Sequence, residues 1–258
     1  MATAFQQFKQ LHQSSALFVL PNVWNAKSAQ ILEKENYPAV ATSSAAVANG
    51  LGYQDGEDMP FEDYLLIIKR ILAVVKIPLT VDMEMGYGKT KEAIAANFIT
   101  LARLGVAGVN IEDSTITQKG RELKDASAFA ETVAYIKSKL AEEKPELFIN
   151  VRCDTWLLNL ANKQQETAHR LPLYEAAGAD GIFLPVISEP ADIQAAVSLT
   201  KLPINVMCIP NLPDFDTLQK LGVKRVSLGP FLFNKVYDSI VTLTKAITAA
   251  KQLTPLFA

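Results

Sequence analysis

The sequence predicts a single (β/α)8 barrel of the TIM type, an α/β fold, spanning residues 1–258. Short apolar runs rich in β-branched residues alternate along the chain with longer amphipathic stretches. Continuous apolar runs of this kind are typical of parallel strands that are covered on both faces. A chain of 258 residues also suits the fold, since α/β barrels commonly form one domain of about 250 residues. An open, doubly wound sheet is the alternative architecture.

Eight runs are predicted as strands. In chain order they are Ala16–Leu20, Ala39–Ser43, Leu79–Asp82, Gly108–Glu112, Phe148–Arg152, Gly181–Leu184, Ile204–Met207 and Arg225–Leu228. A weak repeat supports the count, because Gly105, Gly178 and Gly222 each close a helical segment directly before a strand. Glycine there supplies the left-handed residue that ends a helix, and Asn36 is expected to do the same.

Two stretches are predicted as helices from their apolar spacing. Lys91–Leu104 places four apolar residues on one face, namely Ile94, Phe98, Leu101 and Leu104. The last helix is expected over Val236–Lys251, followed by the apolar tail Pro255–Ala258. This end of the chain packs either against a partner subunit or on its own barrel.

The composition excludes several classes of protein. A formal net charge of -2 and a pI of about 5.8 provide no polyanion-binding field, so nucleic acid is not an expected partner. No apolar run approaches the roughly 20 residues needed to span a membrane. Residues 1–15 are polar, without an apolar signal core. Cys153 and Cys208 form no disulfide framework and no zinc motif, so we expect a cytoplasmic protein.

Acidic residues stand where three consecutive predicted strands end. They are Asp82 and Glu84, Glu112 and Asp113, and Asp154. Carboxylates gathered at neighbouring strand ends repel one another unless a cation or protons intervene. In a strand–helix repeat, this mouth is where catalytic groups usually lie. The pattern therefore predicts a metal site with oxygen ligands.

The segment Val81–Gly88 is the most informative motif at this mouth. Because side chains alternate along a strand, Asp82 and Glu84 are expected to share one face and point together into the mouth. Gly86 and Gly88 let the backbone turn tightly beside a ligand. An isolated Asp-x-Glu pair is more simply interpreted as solvated loop charge, but the acid at the next strand end, Glu112, favours a metal site.

The residue types at the mouth indicate which ion and which ligand it suits. Oxygen ligands without His or Cys favour Mg²⁺ or Mn²⁺ over zinc. Mg²⁺ keeps several waters, so one carboxylate is expected to bind it directly while the others hold those waters. Arg152 offers a two-donor fork for a carboxylate or phosphonate, or forms a structural salt bridge to Glu112 or Asp82, or does both.

Other polar residues give weaker signals. The small residues Thr42–Ala46 expose backbone N–H groups that can hold an anion. Asp55 is interpreted by default as an aspartate in a turn. His12 and His169 have no partners for a catalytic triad and are expected to lie at the surface or to cap helices. No G-x-S-x-G motif and no glycine-rich nucleotide fingerprint occurs in the sequence.

Several ordered motifs extend from Phe18 to about Pro230, namely Pro21–Ala29, Ser43–Val47, Leu51–Asp55, Asp82 with Gly86–Gly88, Gly108–Asp113, Val151–Arg152 and Val226–Pro230. Together they resemble the isocitrate lyase/phosphoenolpyruvate mutase superfamily. The resemblance implies a (β/α)8 barrel and a homo-oligomer, a tetramer or a dimer, in which the last helix is exchanged between subunits. It implies Mg²⁺ held by Asp82, with Glu84, Glu112 and Asp55 reaching its water shell.

The resemblance also implies the substrate site and the chemistry. A 2-oxo acid or its enolate would be bound by Ser43, Ser44, Ala45 and Trp24 together with Arg152, and Asp55 and Arg152 would be the catalytic residues. The chemistry shared by the superfamily makes or breaks a C–C or C–P bond beside a metal-stabilised, pyruvate-like enolate.

The sequence departs from the isocitrate and methylisocitrate lyases of this superfamily at three places. Their mobile loop carries a cysteine that acts as general acid, whereas Ser114–Leu123 is shorter and contains neither Cys nor His. Asn25 replaces a frequent Asp, and Pro185 stands where the lyases often carry Glu. The gate loop of the phosphonate enzymes, with its asparagine, is also missing.

These departures favour an enzyme that needs no acid on a mobile loop. We expect a Mg²⁺-dependent carbon–carbon lyase acting on a small 2-oxo or 2-hydroxy acid, with decarboxylation of an oxaloacetate-like substrate favoured. The alternatives are a C–P bond mutase or hydrolase acting on phosphonopyruvate-like substrates, and a non-catalytic binder of 2-oxo acids.

Overall fold

The apolar runs of the sequence form the strands of the computed structural model, which describes residues 2–257. The described strands are β1 Phe18–Leu20, β2 Asn22–Val23, β3 Val40–Thr42, β4 Leu79–Asp82, β5 Gly108–Glu112, β6 Ser114–Thr117, β7 Gly120–Leu123, β8 Phe148–Arg152, β9 Gly181–Leu184, β10 Ile204–Met207 and β11 Val223–Ser227. All but β6 and β7 belong to one parallel sheet, and those two pair as an antiparallel hairpin. Each predicted strand is confirmed to within two residues at its ends.

Helices connect the strands and cover the outside of the sheet. They are α1 Ala4–Gln13, α2 Ala26–Lys34, α3 Ser44–Leu51, α4 Phe61–Leu72, α5 Lys91–Arg103, α6 Ala126–Glu143, α7 Lys163–Ala176, α8 Pro190–Ser198, α9 Phe215–Lys220 and α10 Phe231–Ala250, followed by a 3₁₀ turn at Thr254–Leu256. Gly105, Gly178 and Gly222 all have φ near +90°, and Asn36 has φ +63°. The predicted helix ends are therefore confirmed.

The barrel closes through one strand that Pro21 interrupts. The sheet order runs from β1 through β11, β10, β9, β8, β5, β4 and β3 to β2. β1 pairs with β11, and β2 pairs with β3. Only Pro21, which lacks an N–H group, separates β1 from β2, so counting them as one strand leaves eight. The predicted (β/α)8 barrel is confirmed.

Helix α5 confirms most of its predicted buried face. Ile94, Phe98 and Leu101 are buried, whereas Leu104 is 37% exposed. The prediction for Leu104 is wrong because the helix ends at Arg103, and Leu104 is its cap. The regular 3.6-residue spacing no longer applies beyond that cap.

Helix α1 covers the N-terminal opening of the barrel. Its residue Phe8 is fully buried and packs edge-on against Phe148 at the start of β8. His12 is also buried, with its ring stacked on Phe148 at 4.3 Å between centroids. The expectation that His12 lies at the surface is wrong, because the sequence did not show that α1 docks here. Burial is the main reason why the pKa of His12 is lowered to about 3.

A polar layer crosses the barrel interior beneath the mouth. Asn150 donates to Asn110 Oδ1 at 2.8 Å, and Arg225 Nη2 donates to the same oxygen at 3.0 Å. Arg225 is fully buried, and its Nε and Nη1 atoms have no hydrogen-bond partner within the described part of the chain. Burial lowers the pKa of Arg225 to about 9, against an opposing attraction to Asp82.

We expect Arg225→Met to stabilise the protein. The fully buried guanidinium leaves Nε and Nη1 without a hydrogen-bond partner among the described residues, and Asn110 Oδ1 keeps its bond from Asn150 when Arg225 is removed. Replacing a poorly compensated buried charge with an apolar side chain of similar volume should add about 1–3 kcal/mol to the free energy of unfolding. Urea denaturation would measure this gain, with exposed Arg103→Met as the matched control. A loss of stability specific to Arg225→Met would contradict it.

Helix α10 leaves most of its apolar residues uncovered. It begins five residues before the predicted start at Val236, and Phe233 is its buried residue. Ile240 and Val241 are about half exposed, and Phe257 in the tail is 84% exposed. Within residues 2–257, no helix combines the length and apolar character required to cross a bilayer.

Candidate functional site

The carboxyl ends of β4, β5 and β8 bring the predicted acids and Arg152 to one edge of the barrel. Parallel register places Asp82 beside Asn110, and Glu112 beside Arg152. The backbone of Asp82 is held on both sides, because its N–H donates to Thr42 Oγ1 and its carbonyl accepts from Tyr64, both at 3.0 Å. Asp82 is thus fixed where β4 ends.

The start of α3 brings a second carboxylate to Asp82. Ser43 is the N-cap of α3, and its hydroxyl accepts the N–H of Ala46 at 3.3 Å. The Ser44 hydroxyl lies 2.9 Å from Asp82 Oδ2 and 3.2 Å from Asp55 Oδ1. Burial and the nearby Asp82 charge raise the pKa of Asp55. The two carboxylates therefore face each other across one hydroxyl, and a bound cation would relieve the repulsion between them.

Glu84 reaches the acid cluster by a route different from the predicted one. β4 ends at Asp82, and Glu84 has φ +46°, so the side-chain alternation of a strand does not continue to it. Its carboxylate accepts the N–H of Glu57 at 3.0 Å and the hydroxyl of Tyr87 at 2.8 Å. Burial, followed by the charge of Asp55, raises the pKa of Glu84 to about 8.

A network of two arginines and two buried acids forms the adjoining wall. Arg152 donates from Nε and Nη2 to the two oxygens of Asp154, at 2.6 and 3.2 Å. Its Nη1 lies 2.7 Å from Glu112 Oε2, although not in hydrogen-bonding direction. Arg121 on β7 donates from Nη1 to Glu112 Oε1 and to Ser114 Oγ. Burial lowers the pKa of Arg152, but the attraction of Glu112 and Asp154 outweighs it, so the net pKa is raised.

Asp113 faces away from this network. Its Oδ2 accepts from Tyr174 at 2.7 Å and from Arg170 at 3.1 Å, and its Oδ1 accepts the N–H of Asp154 at 2.8 Å. All of these groups are buried. Asp113 therefore fastens the loop after β8 in place, rather than contributing a carboxylate to the mouth.

A cavity of about 290 Å³ opens above Asp82. The residues that line it are Asn22, Ser43, Ser44, Ala45, Asp55, Asp82, Asn110, Arg121, Arg152, Leu157, Phe183, Pro185, Met207, Ser227, Gly229 and Pro230. Glu84, Glu112 and Trp24 are not among them; the Trp24 ring packs edge-on against Phe233. The lining contains neither Cys nor His, and its charged residues are two acids and two arginines.

Arg121 is a residue of the cavity lining that was not predicted from the sequence. It lies on the β6–β7 hairpin, whose Ile116 packs so closely on Gly56 that a Cβ there would collide with it. A signal was present in the β-branched run Thr115–Thr117 followed by Gly120, a pattern typical of a hairpin. The hairpin brings Arg121 over the cavity mouth.

The oxygen donors suit Mg²⁺ or Mn²⁺ that keeps part of its water shell. Asp82 and Asp55 present their oxygens at the cavity, and the buried Glu112 Oε2 accepts no hydrogen bond from the described residues. Among those same residues, no three His, Cys, Asp or Glu side chains are close enough to bind one ion together. This arrangement fits direct binding by one carboxylate and contact with the others through water.

We expect the metal-free protein to lose stability as the pH rises. The pKa of Glu84 is about 8 in the folded state and near 4.5 when unfolded, so the folded state binds the extra proton between these values. The stabilisation from this proton is complete below pH 4.5 and is lost as the pH rises through 8. The free energy of unfolding falls by on the order of 1 kcal/mol per pH unit in this range. Thermal denaturation in EDTA from pH 6 to 9 measures this loss. Glu84→Gln should weaken the dependence, and exposed Glu143→Gln should leave it unchanged.

A carboxylate cluster with arginines at the C-terminal mouth of a barrel is the arrangement typical of barrel enzymes, whose active sites lie at this mouth. The chain belongs to the phosphoenolpyruvate phosphomutase family, whose sequence model matches residues 8–248, and thereby to the isocitrate lyase/phosphoenolpyruvate mutase superfamily of lyases and mutases. The resemblance inferred from the sequence motifs is confirmed, as is the enzyme class.

Individual relatives span most of the chain. The uncharacterized protein Rv1998c of Mycobacterium tuberculosis is 32% identical over 95% of this chain and 90% of its own length. An oxaloacetate decarboxylase of Ectopseudomonas mendocina is 30% identical over 86% of this chain and 77% of its own. The solved putative phosphonomutase of Burkholderia cenocepacia is 33% identical, with a TM-score of 0.87 over 93% of this chain and 97% of its own.

Proposed function

We propose that the protein is a Mg²⁺-dependent carbon–carbon lyase that cleaves a small 2-oxo or 2-hydroxy acid through a pyruvate-like enolate. Decarboxylation of an oxaloacetate-type substrate is the favoured reaction. The observation that carries the proposal is the Asp82–Asp55 pair beside Arg152 in a cavity whose lining has no Cys or His. Decarboxylation suits this set of residues because solvent can protonate the enolate. The relationship to an oxaloacetate decarboxylase, 30% identical, also supports it.

Metal binding, substrate binding and proton transfer are each assigned to different residues of the chain. Asp82 would hold Mg²⁺ or Mn²⁺ directly, with Asp55, Glu84 and Glu112 holding its waters; the ion would supply Lewis-acid stabilisation of the developing negative charge. Ser43, Ser44 and Ala45 at the start of α3 would orient the carboxylate and oxo group of the substrate. Arg152 keeps two N–H groups beyond those given to Asp154 and Glu112, and these would contact the substrate. Asp55, with its raised pKa, would pass a proton taken up from solvent to the enolate carbon.

Trp24 is the least supported substrate contact. It does not line the cavity, and its ring packs against Phe233 near the start of α10. We propose that it acts on the site only through the position of that helix.

The runner-up is cleavage or rearrangement of a C–P bond in a phosphonopyruvate-like substrate. The similarity to a putative phosphonomutase at 33% identity favours it. Two arginines at one cavity wall suit a phosphonate as well as they suit a carboxylate. A non-catalytic binder of 2-oxo acids is the third candidate.

The decisive experiment compares oxaloacetate with phosphonopyruvate. Pyruvate release from each is followed with Mg²⁺, with Mn²⁺ and with excess EDTA. We expect metal-dependent turnover of oxaloacetate near ordinary enzyme rates, roughly 1 s⁻¹ or more, and its loss in EDTA. Turnover of phosphonopyruvate alone would favour C–P chemistry, and calorimetric binding without turnover would favour the binder. Turnover that stays unchanged in excess EDTA would contradict the proposed dependence on a metal ion.

We also propose a homo-oligomer, a tetramer or a dimer, that covers α10. The half-exposed Ile240 and Val241 and the tail residue Phe257 support it, since exposed apolar patches of this kind mark protein contacts. We expect light scattering to show an oligomer that Ile240→Asp shifts toward the monomer, because a buried charge would lack a partner. Ile31→Asp, at a similarly exposed residue of α2, is the matched control. A wild-type monomer would contradict this prediction.

Two broader predictions accompany this function. We propose that residues 1–258 act as one barrel domain, since one apolar cluster extends from Val23 in β2 to Val226 in β11. We also propose a cytoplasmic location, which the free thiols of Cys153 and Cys208 support.

A further inference from the structure

The basic part of the cavity wall is formed by two neighbouring arginines. Arg121 and Arg152 are the basic residues of its described lining, and they adjoin each other through Glu112 and Asp154. Much of the remaining wall is apolar, formed by residues such as Leu157, Phe183 and Met207. A ligand with a second negative charge therefore has one favourable place for it, beside these arginines.

The two arginines differ in which of their donor groups are occupied. Arg152 gives the fork of Nε and Nη2 to Asp154, and its Nη1 lies 2.7 Å from Glu112 Oε2 in an ion-pair contact. Arg121 makes its contacts with Glu112, Ser114 and Asp154 through Nη1 alone. Because a guanidinium carries five N–H groups, Arg121 retains the three on Nε and Nη2. They form a planar fork that no described residue occupies, whereas the same fork of Arg152 is taken by Asp154.

The position of Arg121 is also well defined. In the hairpin, Arg121 pairs with Ile116, and Ile116 packs on Gly56 in the loop that carries Asp55. The Arg121 side chain is 19% exposed, so part of it is open to solvent while Nη1 contacts Glu112. The charges of both arginines act on Asp55 across the cavity.

We infer that Arg121 determines substrate specificity: its Nε and Nη2 receive the second anionic group, a carboxylate or a phosphonate, at the far end of a 2-oxo acid. This inference rests on the proposed function, in which the 2-oxo end lies at Asp82. It makes 3-substituted pyruvates with a second anionic group the substrates and excludes 2-oxo acids with an apolar far end.

Calorimetry with three probes tests this role in the presence of Mg²⁺. Oxalate mimics the 2-oxo acid end alone, whereas 3,3-difluorooxaloacetate and phosphonopyruvate add a carboxylate or a phosphonate. Arg121→Gln should bind the latter two about ten- to a hundredfold more weakly and keep oxalate affinity within about twofold. Arg121→Lys should lie between these values because it keeps the charge without the planar fork. Arg103→Gln, far from the mouth, is the control for loss of a surface charge.

The outcomes separate this inference from the function beneath it. Equal weakening of all three probes would overturn it, because Arg121 would then act only by holding Glu112. Unchanged affinity for all three would overturn it as well. Retained oxalate binding shows that the variant is folded, and the probe that loses more identifies the second anion as carboxylate or phosphonate. Failure of the wild type to bind oxalate with Mg²⁺ would overturn the proposed function, and this inference with it.

Discussion

Asp82→Ala is expected to reduce kcat/KM for pyruvate release from oxaloacetate by about a thousandfold or more, since a metal ion stabilises transition-state charge by several kcal/mol. Asp82 is the acid at the cavity whose backbone is fixed on both sides, by Thr42 and Tyr64. Its carboxylate also accepts from Ser44 at 2.9 Å, so its position is set before any ligand enters. Steady-state kinetics over a range of Mg²⁺ concentrations would measure the loss.

Two comparisons make the Asp82 result interpretable. Asp216→Ala changes an exposed acid of α9 and should leave kinetics unaltered. Calorimetric titration of Asp82→Ala with Mg²⁺ should show weaker binding of the ion. Weaker binding would attribute the kinetic loss to loss of the metal. Full activity of Asp82→Ala at ordinary Mg²⁺ concentrations would remove this residue from the metal site.

Arg152→Lys is expected to lower both kcat/KM and thermal stability. Lysine keeps the charge but loses the planar fork that holds both oxygens of the fully buried Asp154. Loss of one charge-assisted contact to the substrate corresponds to on the order of 1.5–3 kcal/mol, or about ten- to a hundredfold in kcat/KM. Melting temperature and kinetics on one preparation would measure both effects.

The balance of the two Arg152 effects identifies its role. A lowered melting temperature with unaltered kinetics would make it a structural counter-ion of Glu112 and Asp154. A kinetic loss with little change in melting temperature would make it a substrate contact. We expect both, because Arg152 lines the cavity while most of its donors already face buried acids.

Much of the barrel could be predicted because its information is local. A parallel strand buried on both faces needs apolar residues throughout, and a helix that turns back into a strand needs a left-handed residue such as Gly105. The docking of α1 could not be predicted, since amphipathic spacing shows that a face is buried but not what covers it. His12 was misplaced for this reason.

The candidate site also contains residues that could be predicted from the sequence and residues that could not. Asp82, Glu112 and Arg152 could be expected to meet, because the carboxyl ends of neighbouring parallel strands share one edge. Glu84 could not be oriented, since it has a positive φ beyond the end of β4 and its carboxylate is held partly by the N–H of Glu57, 27 residues away. Arg121 was missed because β7 is a short, half-exposed strand without an apolar run.

The closure of the barrel at Pro21 constrains how the chain can fold. Phe18 pairs with Arg225, and Asn22 accepts the N–H groups of Leu228 and Gly229, which lie 206 and 207 residues further along. Contacts of such long sequence separation must overcome a large loop-closure entropy, so closure is expected to come late. During synthesis on the ribosome, β1 and β2 emerge long before β11, and until then both sheet edges stay open to pairing with other chains. The most aggregation-prone stage is therefore the nascent chain that still lacks its last strand.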